Sequence, residues 1–489
     1  MDSSASVVSE GGFARPLEIP RDPVPGVNLV GFLEGELGLG ELARKLGRAL
    51  SRAEIPTAAI PYRRVASRQA HPVEFATSDT APYDTNLICL NADHLHVFAA
   101  DAGLDLFAGR SSIGVWFWEA SVFRPAERAA LRFLDEVWVP SEYVRRAVEP
   151  GANVPVHVVP IPVEERRVRS RSRAELGLPT GFLFLFVFDF VSAQRKNPLA
   201  VVDAFRRAFG PEDGASLVLK SINGRERKPH LLEELTAAAA GRPDIQVRDG
   251  YVSVEERDAL FAASDCYVSL HRSEGFGLTM AEAMSHAKPV IATGYSGNLD
   301  FMSDDSAYLV PYRLVPIPAD WWAYSPDAEW AEPDIESACR LMRLVYENQT
   351  EARFRGALGR EDVLRRFSIA RSAEFVTERL EAMRERSARR DGAGDMRRPV
   401  LEASQRLAEG VGAALAPGGR GPSAVLRRAL RRALWPQLAR QHRLDGAILE
   451  ALDALQRSHD DLREQISQAT QADASSPAED VGQRDARLP

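Results

Sequence analysis

The sequence predicts an α/β protein of two domains, each built on a parallel β-sheet, with a helical extension at the C-terminus. Three observations carry this. From Asn28 to Glu381, strand-length apolar runs alternate with helical segments, the pattern of parallel sheets with covered faces. One run, Phe182 to Phe188, is apolar without a break, as a central strand buried on both sides requires. Two glycine-bearing turns, Gly35 to Gly40 and Gly275 to Gly277, each follow a strand-like run and open a helix.

Composition agrees. At 489 residues the chain has room for two or three domains, and its 45% apolar and 27% charged content is that of an ordinary globular protein. A net charge of −8 gives no reason to expect nucleic acid. The N-terminus lacks a basic segment followed by an apolar core, and no apolar run reaches the roughly 20 residues needed to cross a bilayer. A cytoplasmic location is the expectation. Cys89, Cys266 and Cys339 are odd in number and far apart, and read as reduced thiols.

Residues 1–25 are polar and read as a flexible tail, and residues 26–165 as the first domain. Asn28 to Phe32 is its first strand, and Glu41 to Arg52 an amphipathic helix with Leu42, Leu46, Ala49 and Leu50 on one face. Between them Gly35, Gly38 and Gly40 do not supply Gly-x-Gly-x-x-Gly, which argues against a dinucleotide fingerprint. Asn86 to Asn91, Ser112 to Trp118, Glu136 to Pro140 and Val156 to Pro162 are further strands, with helices over Phe123–Leu134 and Glu142–Val148. Open parallel sheets bind ligands at the carboxyl ends of their strands, which singles out Asp93, His94, Trp118, Glu119 and Ser141. For Glu119 two readings stand: contact with a substrate, or a local cap or ion pair. His94 and His96 have no third ligand near them in sequence, so no metal is expected.

The second domain, 166–385, opens on the Phe182–Phe188 strand. Arg195 and Lys196 follow in the next loop, where two cations are placed either to clamp a diphosphate or to be solvated. Leu199 to Phe209 is helical, and Ser216 to Lys220 and Ile245 to Val252 are strands. Cys266 to Leu270, the turn Ser273 to Gly277 and the helix Thr279 to Ala287 form the unit around which the chain is organised. A helix opening there offers unpaired N–H groups and a positive dipole end to an anion. Glu274 and Glu282 flank that position eight residues apart. An acid beside a phosphate is useful only if it faces something else, such as sugar hydroxyls. Trp321, Trp322, Tyr324 and Trp330 cluster among prolines, as a sugar-stacking surface or as loop packing. Ile335 to Tyr346 and Arg353 to Glu381 are helical and should close this domain.

Glu274-Gly275-Phe276-Gly277-Leu278, with Glu282 following, resembles the paired-glutamate motif of the retaining group 1 (family 4) glycosyltransferases. That resemblance implies the GT-B fold, two Rossmann-like domains facing across a cleft, and sugar transfer from a nucleotide-diphosphate sugar with retention of configuration. It places Glu274 beside the donor sugar, Glu282 on the ribose and the diphosphate on the Gly275, Phe276, Gly277 and Leu278 turn, with Gly38 and Gly40 reaching across the cleft. Lys196 matches the family's lysine, but Phe190 stands where the family has an arginine, and Arg195 or Lys220 is expected to compensate. Where the family carries a histidine this chain has Trp118-Glu119, so Glu119 is a candidate acceptor contact. No cofactor is implied beyond the donor. No Asp-x-Asp occurs, and Lys196 with the helix N-terminus is expected to do a metal's work. The acceptor is a glycan, a lipid-linked glycan or a small molecule. Alternatives are a sugar-nucleotide epimerase of similar fold, or a non-catalytic scaffold acting through its C-terminal helices.

Residues 386–424, rich in Arg, Gly, Ala and Pro, read as a linker. Residues 425–469 carry a basic amphipathic helix ending at Trp435 and a short heptad seam, Ile448 to Ile466, suited to peripheral contact with the inner membrane face or to weak self-association. Residues 470–489 read as a disordered tail.

Overall fold

The computed structural model describes residues 12–65, 67–164, 171–318, 324–325 and 327–390. The expected linker beyond 390, the helical extension, both Trp321 and Trp322, and the C-terminal tail lie outside the described residues.

The first sheet is built from β1 (Val24–Gly31), α1 (Gly38–Arg52), β2 (Thr57–Pro61), β3 (Tyr83–Cys89), α2 (Ala92–Ala102), β4 (Ser111–Val115), α3 (Pro125–Arg128), β5 (Glu136–Val139), α4 (Glu142–Val148) and β6 (Val156–Val158). Its strand order is β2-β1-β3-β4-β5-β6, parallel throughout. The second follows as β7 (Phe182–Asp189), α5 (Ala193–Lys196), α6 (Pro198–Ala208), β8 (Ala215–Ile222), α7 (Gly224–Arg227), α8 (Pro229–Ala239), β9 (Ile245–Asp249), α9 (Val254–Ala263), β10 (Cys266–Ser269), α10 (Leu278–Ser285), β11 (Val290–Thr293) and β12 (Tyr308–Val310). Its order is β12-β11-β10-β7-β8-β9, again parallel. Two six-stranded parallel sheets flanked by helices give the two-domain α/β architecture that the alternation predicts. An antiparallel hairpin, β13 (Tyr312–Pro316) with β14 (Glu329–Pro333), leads into α11 (Ile335–Glu347), α12 (Gln349–Arg366) and α13 (Ile369–Arg390).

Several boundaries differ from expectation. Phe123–Leu134 is not one helix but the single turn α3, begun by Pro125, running into a 3₁₀ stretch over Ala129–Phe133. The strand expected over Val156–Pro162 stops at Val158, because Pro160 and Pro162 have no N–H to continue a ladder. The long C-terminal helix is broken at Phe367 and Ser368, and its second part does not close the second domain. Instead α13 returns to the first: Phe375 packs against Trp138 at 5.1 Å, and Arg379 and Arg386 both pair with the fully buried Glu136. Arg384 reaches Asp84 at 3.3 Å. The buried face of α13, Val376, Leu380 and Met383, joins α1 in one apolar core continuous with that of the second sheet. Amphipathic spacing predicts that a face is buried, not which domain covers it.

Candidate active site

The loop between β10 and α10 is shaped by Gly277, whose φ of +98° is one that residues with a Cβ avoid. It turns the chain so that α10 begins at Leu278 with no side chain capping its N-terminus. Phe276 anchors the turn from below, its ring packed against Phe301 at 5.0 Å and Phe367 at 5.4 Å, so only its backbone is available to a ligand. From the first domain, Ser141 caps α4 and donates to the Gly275 carbonyl at 2.6 Å, while the Glu142 N–H donates to Asp300 at 2.8 Å. Tyr143 meets Tyr295 and Ser273 through hydroxyl contacts of 3.3 Å. The carboxyl ends of the two sheets therefore face each other.

At the centre lies a four-residue charge cluster. Lys196 Nζ is 2.5 Å from Glu274 Oε1, and Arg195 Nη1 is 3.1 Å from Oε2 of the same carboxylate. Arg195 Nη2 then spans to Glu119 Oε1 of the first domain at 3.5 Å, and Tyr324 of the hairpin segment donates to Glu119 Oε2 at 3.4 Å. A third contact, Arg195 to the Ser273 carbonyl at 2.8 Å, fixes the guanidinium to the turn. Burial opposes ionisation of Glu274, but Lys196 and then Arg195 outweigh it and hold the carboxyl down at about 2. The neighbouring His271 is fully buried between Ser269, Tyr295 and Asn298, and burial pushes its pKa down. Because Nε2 faces two oxygens, it is a donor.

The structure thus brings Glu274, Lys196, Arg195 and Glu119 together, and separates the others. Lys220 is not in the cluster: its ammonium donates to the carbonyls of Ser221, at 2.8 Å, and Gly250, tying the end of β8 to the turn after β9, and burial lowers its pKa. Of the two cations expected to compensate for the missing arginine, only Arg195 lies in the cluster, while Phe190 itself is core, against Phe188 at 4.9 Å. Glu282 pairs with Arg257 of α9 at 3.4 Å. A Cβ on Gly40 would strike the Gly35 and Phe32 carbonyls, so that glycine serves the turn's own packing, whereas Gly38 faces open space. Arg44 holds this turn through the Leu33 and Gly35 carbonyls at 2.9 and 3.0 Å. Asp93 and His94 bond each other at 2.8 Å. Sequence reasoning missed Arg257 and the Tyr143–Tyr295 contact; both depend on packing between segments far apart in the chain, for which no local pattern exists. Among the described residues, no group of three His, Cys, Asp or Glu side chains is placed to hold a metal, and no helix is long and apolar enough to cross a membrane.

Residues 181–316, from β7 through β13, match the family described as Glycosyl transferases group 1. Solved structures share the fold, two of them over nearly their whole length. HepE of Anabaena in complex with UDP and glucose superposes with a TM-score of 0.54 at 15% identity, over 73% of this chain and 99% of that one. Sucrose-phosphate synthase of Thermosynechococcus elongatus does so with 0.54 at 16%, over 74% and 99%. A search of curated proteins found no match. The fold is GT-B, and the matched segment contains Lys196, Glu274 and Glu282.

Proposed function

We propose that the protein transfers a sugar from a nucleotide-diphosphate sugar to a glycan, lipid-linked or small-molecule hydroxyl, with retention of anomeric configuration. The donor binds the second sheet domain and the acceptor the first. The observation that carries this reading is the convergence of Lys196, Arg195 and Glu274 beside the N-terminus of α10, within the matched segment. An anion seated on the Gly275–Leu278 amides meets a positive helix end and the Lys196 ammonium, the two charges that a departing diphosphate needs.

In this reading Glu274, held ionised by its two cations, accepts hydrogen bonds from donor sugar hydroxyls. Glu282 does the same for the ribose, in exchange for its contact with Arg257. Arg195 is a positioning residue: spent on Glu274, Glu119 and the Ser273 carbonyl, it fixes both carboxylates across the cleft. Glu119, presented by the first domain and oriented by Tyr324, faces the acceptor hydroxyl. Retention follows if the acceptor attacks the face from which the diphosphate leaves, with the leaving phosphate taking the hydroxyl proton. Lys196 and the helix end neutralise the diphosphate, so activity should persist in excess chelator.

The test is nucleoside-diphosphate release from a panel of nucleotide sugars, with UDP-glucose first because HepE was solved with UDP and glucose. Slow release by the full chain, abolished in Glu274→Ala, supports the assignment. Release from none of them would sink it.

A further inference from the structure

The two cations of the charge cluster sit on a helix too short to hold them in place. α5 is a single turn, Ala193–Lys196, and at its end the Asn197 N–H closes on the Ala193 carbonyl at 2.7 Å. The next donor in the ladder, due at the Gln194 carbonyl, would come from Pro198, which has no N–H. Asn197, at a φ of +58°, then turns the chain out of helical register before Leu199 can follow on to Arg195. One isolated turn does not sustain itself in water, so the position of Arg195 and Lys196 has to be set from outside the helix.

Arg272, just ahead of Ser273 and Glu274, takes up both of the carbonyls that the turn leaves open. Its N–H donates to the Arg195 carbonyl at 2.8 Å, and its Nη1 to the Gln194 carbonyl at 2.6 Å. Arg195 answers with its own bond to the Ser273 carbonyl at 2.8 Å. The other side of the guanidinium is committed to β14. Nε donates to Glu332 Oε2 at 2.8 Å and Nη2 to Oε1 at 3.2 Å, the ring centroid of Trp330 lies 5.4 Å away, and the Ala331 N–H returns to the Arg272 carbonyl at 2.8 Å. β14 is a firm anchor because it is fixed in turn to the first domain. Trp330 is buried with Ala120, Ile317 and Ala328, and the Ser121 hydroxyl accepts from the Glu329 N–H at 3.2 Å and donates to its carbonyl at 3.4 Å.

Resting on the donor reading above, we infer that Arg272 is the positioning residue for Lys196: pinned by the β13–β14 hairpin, it holds the α5 turn where the ammonium meets Glu274 and the departing diphosphate. Arg272 acts through Lys196 and not on the donor. Its plane does three things at once, forking onto a carboxylate, donating to a helix-end carbonyl and lying against an indole, and a lysine ammonium has no plane with which to do them. Because a displacement of about 1 Å at a reacting group can cost about 10²-fold in rate, loosening this turn slows the reaction without removing any charge from the cluster.

A double-mutant cycle on the full chain, read as nucleoside-diphosphate release from the best nucleotide sugar, tests this. Arg272→Lys, which keeps the charge and gives up the fork, should lower kcat by roughly 10- to 100-fold while donor KM stays within about threefold. Glu332→Gln, one contact further out, should lose less in the same direction. In the cycle, Arg272→Lys combined with Lys196→Ala should be no slower than Lys196→Ala alone, within about twofold, because a residue that acts through Lys196 has nothing left to position. Losses that multiply, as they would for a general structural defect, overturn the assignment while leaving the donor site standing, and so does full turnover in Arg272→Lys. A parent that releases no nucleoside diphosphate from any nucleotide sugar overturns the donor reading itself, and this role with it.

Discussion

Replacing Lys196 by alanine removes the cation nearest Glu274 and, in the proposed reaction, the leaving group's closest positive charge. Glu274 sits at about 2, against an ordinary 4.5, with Lys196 the larger of its two main attractive contributions. That gap corresponds to roughly 3 kcal/mol of stabilisation of the ionised form. Since burial opposes ionisation more strongly than either cation favours it, Arg195 at 3.1 Å cannot hold that gap alone, and the variant should lose most of it, a fall in stability that leaves the protein folded. The effect on rate should be larger. Negative charge grows on the diphosphate as the glycosidic bond breaks, so a cation beside it favours the transition state over the ground state. Deleting one such electrostatic stabiliser lowers turnover by about 10²–10³-fold, near 3–4 kcal/mol. Steady-state release of nucleoside diphosphate, with unfolding followed in parallel, measures both, and Lys196→Arg should recover part of the rate. Donor KM should change much less than kcat. A Lys196→Ala protein with normal turnover would remove the residue from the chemistry, and a loss appearing wholly in KM would make it a ground-state contact.

Three further outcomes are expected. Glu282→Ala should weaken nucleoside-diphosphate binding about tenfold or more by calorimetry, the cost of one charged hydrogen-bond partner; unchanged affinity would withdraw the ribose assignment. Glu274 has a folded-state pKa below its unfolded value, so the stability it contributes is complete above about pH 4.5 and is lost as pH falls towards 2. The unfolding free energies of the parent and Glu274→Gln should therefore converge over that window by roughly 3 kcal/mol, and parallel pH profiles would contradict the ion-pair account. Arg379→Ala leaves the fully buried Glu136 one cation short and should cost roughly 1–3 kcal/mol in thermal unfolding, more than Arg386→Ala, whose side chain is more exposed. No loss in either variant would mean that α13 is held on the first domain by its apolar face alone.

Much of this was legible in the chain because local patterns carried it. The unbroken run Phe182–Phe188 could only be a strand covered on both faces, and β7 is one, paired with β8 and β10. The carboxyl-end rule picked out Glu119 and Ser141 from the first domain, and both meet the second. Lys196 and Glu274 were each visible as a residue in a loop after a strand. What no spacing could supply was partnership across the cleft. Lys220 looked as available as Arg195 at a strand's end, yet the turn at Gly250 takes up its ammonium. Gly38 and Gly40 read alike in sequence, and only the carbonyls crowding Gly40 separate a packing glycine from one facing open space. The return of α13 to the first sheet depends on Glu136, a buried acid in a strand whose partners lie more than 240 residues away.

Proton NMR of the full chain incubated with a nucleotide sugar and a pool of glycan and small-molecule acceptors tests the central claim most directly, because the anomeric signal reports transfer and stereochemistry at once. Equimolar release of nucleoside diphosphate and a new glycoside of the donor's own anomeric configuration, persisting in excess chelator, is the predicted result. An inverted glycoside, or a sugar epimerised while still joined to its nucleotide, would contradict it.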